Sequence, residues 1–217
     1  TIWVEPTPTL VLVPQGDTIC DNAITNIQIT SPTGPTRPVE FRYTIEPENP
    51  ADVTVTVLGP QTGLSKGDII ADQLDNLSDT AQKVLFVVTP YTIDALGVEH
   101  CTGINDTTTI WVEPTPTLVL VPQVDTICDN AITNIQITSL TGPTRPVEFR
   151  YTIEPENPAD VTVTVLGPQT GLSKGDIIAD QLDNLSDTAQ KVLFVVTPYT
   201  IDALGVEHCT GINDTTT

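Results

Sequence analysis

Basic residues, aromatics, histidines and long apolar runs are all scarce in this chain, and each shortage removes a class of function. Eight Lys and Arg stand against 28 Asp and Glu, a formal charge of -20. A surface this acidic repels nucleic acid and anionic lipid, so neither is an expected partner. Apolar runs such as Val84–Val88 are far too short to span a bilayer, and no membrane insertion is expected. Aromatics are 5% of the chain, too few to supply stacking platforms on a solvent face as well as a core. Charged residues are nonetheless only 17%, with Thr, Val, Ile and Pro filling much of the rest. That balance suits a folded β domain rather than a disordered acidic tail.

Catalytic chemistry is equally short of material. His100 and His208 are the only histidines, each beside a cysteine. Adjacent residues of a strand point to opposite faces, so no Cys–His nucleophile pair is expected there. Gly63–Gly67 lacks the Gly-Lys-Ser/Thr ending of a phosphate loop and reads as a turn. No enzyme is expected.

What is present is repetition. The run TIWVEPTPTLVLVPQ opens the chain and recurs from Thr109, which sets a period of 108 residues. Cys20 recurs as Cys128, Cys101 as Cys209, and only Gly16/Val124 and Pro32/Leu140 differ between the copies. A repeat of this size can bury its own core, so the array reads as domains on a string rather than a solenoid.

Within one repeat, Thr9–Val13 reads as a strand ending at Pro14, and Ile27 and Ile29 share one face of the next. Val39, Phe41, Tyr43 and Ile45 alternate with Glu40, Arg42, Thr44 and Glu46, a strand with one face in a core. Val53, Val55 and Val57 alternate with threonines, and Gln61–Gly67 reads as a loop. Asp68–Leu77 suits a short strand or a single helical turn. Lys83–Thr92 reads as a long central strand, and Thr107–Glu113 as the last one. About seven strands spaced by Pro and Gly turns predict an all-β, immunoglobulin-like sandwich, with a closed barrel second.

If Thr107–Glu113 closes a domain, residues 1–6 are the last strand of a preceding repeat. Residues 7–114 are then a complete domain, and 115–217 a second one without its final strand, as expected of an excerpt from a longer array.

Two cysteines per repeat at wide spacing do not resemble a zinc site. One disulfide per domain would close a loop of about eighty residues and contribute about 4 kcal/mol. Free buried thiols are the alternative. A disulfide would imply an extracellular setting.

In order along the repeat come Asp17-Thr18-Ile19-Cys20, Phe41-Arg42-Tyr43-Thr44-Ile45 and Ile70-Ala71-Asp72-Gln73-Leu74-Asp75-Asn76. Phe86-Val87-Val88-Thr89-Pro90, Cys101-Thr102-Gly103 and Ile110-Trp111-Val112-Glu113-Pro114-Thr115-Pro116 follow. This ordered set resembles the PKD-like repeats of giant secreted surface adhesins of gliding Bacteroidota. The resemblance implies tandem Ig/PKD-type sandwiches arranged end to end and a disulfide joining Cys20 to Cys101 and Cys128 to Cys209. It also implies use as a spacer in a cell-surface filament, in gliding motility or attachment. Tyr43 stands where such repeats often carry Trp, a smaller aromatic that still fills a core.

Three kinds of site follow as expectations. The Asp-Thr tripeptides resemble the O-glycosylation motif of Bacteroidota, which marks Thr18, Thr80, Thr107, Thr126, Thr188 and Thr215. Trp111, Glu113, Pro114 and Pro116 form the interdomain joint, with Trp3 and Trp111 either capping the core or wedging against the next domain. Asp72, Asp75, Asn76 and Asp79 are weak calcium candidates without EF-hand spacing, and Glu113 is another; no other cofactor is expected. The expected role is a stalk holding a distal binding region, with neighbouring repeats of the same chain as partners. Surface glycans or a substratum would be met through other regions of the parent protein. The alternative is a glycan- or protein-binding module acting through loops at the sandwich ends.

Overall fold

Alternation between apolar and polar residues dictates where this chain runs as strands, and Pro and Gly decide where they stop. The structure, a computed structural model, describes every residue except Thr1, Trp3, Gln15, Leu58, Gln123, Val124 and Leu166. The expected joint role of Trp3 and the Val124 side of the Gly16 difference lie outside the described residues. Two compact units divide the chain at Pro114, namely Thr1–Pro114 and Thr115–Thr217.

The first unit contains β1 (Val11–Pro14), β2 (Thr18–Cys20), β3 (Ile27–Thr30), β4 (Val39–Pro47), β5 (Val53–Val55) and β6 (Gln61–Ser65). It continues with β7 (Ile69–Ile70), β8 (Leu74–Asn76), β9 (Gln82–Ile93), β10 (Glu99–Thr102) and β11 (Asp106–Glu113). One sheet runs β2-β11-β9-β4-β6 with β10 also on β9; another runs β1-β3-β7, and β5 pairs β8. The expected sandwich is present, as an all-β fold without a helix among the described residues.

Its strands are shorter and more numerous than seven. Gln61–Ser65, expected as a loop, is an edge strand because Phe41 and Tyr43 of β4 pair with Leu64 and Gln61. Asp68–Leu77 resolves into two short strands, with Ile70 and Leu74 buried and Ala71–Gln73 linking them.

The core lies between the sheets. Gln82, Val84, Phe86 and Val88 of β9 point into it, alternating with partly covered residues. They meet Ile27, Ile29, Phe41, Tyr43, Leu74, Ile110 and Val112, each no more than 7% exposed. Burying side chains of this size contributes about 1.5–3 kcal/mol each.

The second unit repeats the plan with β12 (Val119–Pro122), β13 (Ile135–Thr138), β14 (Val147–Pro155), β15 (Val161–Val163) and β16 (Gln169–Ser173). Then come β17 (Ile177–Ile178), β18 (Leu182–Asn184), β19 (Val192–Ile201), β20 (Glu207–Thr210) and β21 (Asp214–Thr216). Thr126–Cys128, the copy of β2, is not a strand, and β19 is ten residues long where β9 has twelve.

Candidate functional site

The strand seam at the outgoing end of each unit is where the two copies part. In the first unit β11 lies between β9 and β2. It is antiparallel to β9, with Ile110 opposite Val84 and Val112 opposite Gln82. It is parallel to β2, with Val112 opposite Ile19 and Glu113 opposite Cys20. The Trp111 amide donates to the Asp17 carbonyl at 2.7 Å, and the Asn76 side-chain amide donates to the Val112 carbonyl at 2.8 Å. Ile110 and Val112 are buried on one face of the strand; on the other face Trp111 is 37% exposed and Glu113 is buried. Pro114 and Pro116 are buried as well.

The second unit has an open groove of about 250 Å³ at this place. Its apolar floor is Ile135, Leu182, Val192 and Phe194, flanked by Ile127 and Ala189. β21 pairs β19 only as far as Thr216 opposite Phe194.

The cysteines occupy opposite ends of a unit. Cys20 is level with Glu113, beside the Gln82 end of β9. The Cys101 amide donates to Thr92 Oγ1 at 3.1 Å, at the other end of the same strand. Ten residues of strand separate Gln82 from Thr92, about 33 Å, whereas a disulfide needs Cα atoms within about 7 Å. The expected bonds from Cys20 to Cys101 and from Cys128 to Cys209 are therefore corrected. Cys101 and Cys128 are free thiols, while Cys20 and Cys209 are each disulfide-bonded. Wide sequence spacing was compatible with a bond; only the strand register shows that the spacing becomes distance.

The acidic candidates do not converge. Asp72 is buried and accepts a 2.7 Å hydrogen bond from the Tyr43 hydroxyl, so it serves the core rather than a solvated loop. Burial, with that bond second, pushes the Tyr43 hydroxyl well above its ordinary range. Asp75 instead meets Asp21, whose hydrogen bond is the main reason its carboxyl rises, and accepts from Thr54 Oγ1 at 3.2 Å. Asp79 is exposed in the turn before β9. Among the described residues no three His, Cys, Asp or Glu side chains gather as metal ligands.

His100 lies on β10, with Nε2 2.9 Å from Asp94 Oδ2. Asp94 also accepts from the Leu96 and Val98 amides at 2.9 Å. These bonds, His100 foremost, hold its carboxyl down to about 2. His208 and Asp202 repeat the arrangement at 3.0 Å. Sequence reading missed these turn-locking pairs, although Asp94-x5-His100 was there to see. Of the candidate glycosylation threonines, Thr80, Thr107, Thr126, Thr188 and Thr215 are exposed and Thr18 is half-buried.

The geometry defines an Ig-like β-sandwich module, built twice. The family described as the PKD-like domain matches residues 17–116, which include every strand from β2 to β11. No curated protein matches. Among solved structures, the type II cohesin dyad from the adaptor ScaA scaffoldin of Acetivibrio cellulolyticus is similar at 8% identity and a TM-score of 0.29. That match covers 93% of this chain and 95% of the other. A chaperone–tip adhesin complex of CFA/I fimbriae biogenesis is similar at 11% identity and a TM-score of 0.32, covering 95% and 98%. No helix among the described residues is long and apolar enough to cross a membrane.

Proposed function

We propose that the repeat is an extracellular spacer, a stalk element of a long surface filament or adhesin. The observation that carries this reading is that a near-identical sequence of 108 residues folds twice on the same β-sandwich plan, with only the short Pro114-Thr115-Pro116 joint between the copies.

The disulfide-bonded state of Cys20 and Cys209 belongs outside the cytoplasm. The Pro-Thr-Pro joint favours extended backbone, and the acidic surface keeps parallel filaments apart. Sugars on the exposed threonines would hydrate the stalk further. The proposed setting is a surface adhesin that holds a distal binding region away from the cell, and the repeat itself carries no catalysis.

Small-angle scattering on a chain of three complete repeats tests the spacer reading. An extended, stiff profile is expected; a compact profile would sink the reading.

One observation favours the second reading, a glycan- or protein-binding module. Leu96 and Ile104 are 87% and 84% exposed on the loops that flank β10. A glycan array probed with wild type and with L96D/I104D separates the two. Binding lost in the variant supports a module; no binding by either supports the spacer.

A further inference from the structure

A buried proline holds the chain ahead of the first strand of each sandwich. Pro8 and Pro116 are buried, while the threonines on either side of them, Thr7 and Thr9, Thr115 and Thr117, are exposed. Each proline is seated against a glycine of the loop that follows β10 or β20. Gly103 and Gly211 lie so close to the Pro8 and Pro116 carbonyl oxygens and to the Pro90 and Pro198 rings that neither has room for a Cβ. Their amides donate to the Pro90 and Pro198 carbonyls at 2.8 and 2.9 Å, which fixes the seat to β9 and β19.

A cluster of hydroxyls in the turn after β3 or β13 pins the same segment from the other side. In the first copy the Thr9 amide and hydroxyl both donate to Thr33 Oγ1, at 3.0 and 3.3 Å. Thr33 in turn shares a 3.0 Å hydrogen bond with the buried Ser31 hydroxyl. In the second copy the Thr117 amide donates to Thr141 Oγ1 at 3.1 Å, and its hydroxyl meets Ser139 Oγ at 3.3 Å. There the Thr117 hydroxyl also accepts from the Leu140 and Thr141 amides, at 3.2 and 3.3 Å. Leu140 stands where the first copy has Pro32, and proline has no amide hydrogen to give.

We propose that Thr7–Thr9 and Thr115–Thr117 are straps that lock the incoming segment of each repeat onto its own sandwich, and that the residue at position 32 or 140 sets how tightly the strap is held. The glycine seat is the same in both copies; the amide of Leu140 is an addition of the second. The Leu140 side chain is 75% exposed and fills no core, so what the residue contributes here is its N–H. The chain thus carries one loosely and one tightly strapped repeat. Each strap opens locally, without unpairing the strands behind it. This proposal goes beyond the spacer reading and needs only contacts inside each unit.

Amide hydrogen exchange by NMR on the full chain tests it, read at Thr9 and Thr117, with Phe86 and Phe194 reporting on the two cores. Leu140→Pro should speed exchange at Thr117 about tenfold, the effect of one lost hydrogen bond, and leave Phe194 unchanged. Pro32→Leu should slow exchange at Thr9 by a similar factor and leave Phe86 unchanged. Both variants copy a residue that the other repeat already carries, so the fold accommodates them. Thr141→Val, which removes the acceptor hydroxyl and keeps the shape of the side chain, should also speed Thr117. An unchanged rate at Thr117 in Leu140→Pro, or at Thr9 in Pro32→Leu, would overturn the proposal. So would a change at Phe194 or Phe86 as large as the change at the strap.

Discussion

In the first repeat Thr18–Cys20 is a strand laid parallel to β11; in the second the same three residue types, Thr126–Cys128, form no strand and Cys128 is exposed. Around them the same asymmetry recurs. Asn76 is buried and donates to both the Thr80 and Val112 carbonyls, whereas Asn184 keeps only the bond to Thr188. β9 begins at Gln82, opposite Val112, whereas β19 begins at Val192. Identical residues thus adopt different structures according to whether Ile110–Glu113 or its equivalent lies beside them. A strand at the margin of a sheet is made by its partner rather than by its own propensity.

The largest test of this comparison is to make the first repeat resemble the second. Val112→Asp places a carboxylate on the seam where Val112 is fully buried. It should destabilise the first unit by about 3 kcal/mol or more, the cost of burying an unpaired charge. Denaturant unfolding gives the loss. Hydrogen exchange should show Lys83 and Val84 amides falling to the protection of Lys191 and Val192. Equal protection of the two sets in wild type would remove the asymmetry altogether.

A second change should affect both repeats alike. A Cβ at Gly103 would meet the Pro8 carbonyl oxygen at 2.1 Å and Pro90 Cγ at 2.7 Å, and at Gly211 the Pro116 carbonyl oxygen at 2.0 Å. Gly103→Ala and Gly211→Ala should each cost about 1–3 kcal/mol by overpacking, while Gly34→Ala, with open space around it, should cost little. Thermal melts of the three variants check this. Unequal losses at Gly103 and Gly211 would show that the copies differ beyond the seam.

Removing the buried hydroxyl is a smaller perturbation. Tyr43→Phe and Tyr151→Phe leave Asp72 and Asp180 without their 2.7 Å donors. Each should cost about 1–3 kcal/mol, as for a buried acceptor that loses its partner. The raised hydroxyls have a pH consequence with a definite sign. Above pH 10 the unfolded chain releases tyrosine protons that the folded chain retains, so stability should fall as pH rises. Absorbance near 295 nm should therefore rise together with unfolding rather than ahead of it.

The smallest effect concerns the turn pairs. Asp94 and Asp202, both held down to about 2, should titrate at that value by carbon-detected NMR. Their contribution is present above the ordinary carboxylate range and is lost as pH falls through about 2. His100→Ala and His208→Ala should raise both by similar amounts.

How much of this was legible in residues alone depends on whether a feature is local. The alternation Val39–Ile45 and the run Lys83–Thr92 announced the two strands that became β4 and β9, because period-two burial is written directly into sequence. The edge strand Gln61–Ser65 was not legible: QTGLS has weak strand propensity, and it pairs because β4 offers an open side. Asp72 read only as one of several weak calcium candidates, since nothing nearby in sequence reveals Tyr43 twenty-nine positions away.

By itself the sequence determined the 108-residue repeat, the all-β class and the faces of the long strands, since these follow from periodicity and turn chemistry within a few residues. Tertiary structure alone decided that Cys20 and Cys101 stand at opposite ends of β9, and that Thr18–Cys20 becomes a strand and Thr126–Cys128 does not. Each of these depends on which distant segment lies alongside, and adjacency across a sheet is set by register and packing rather than by position in the chain.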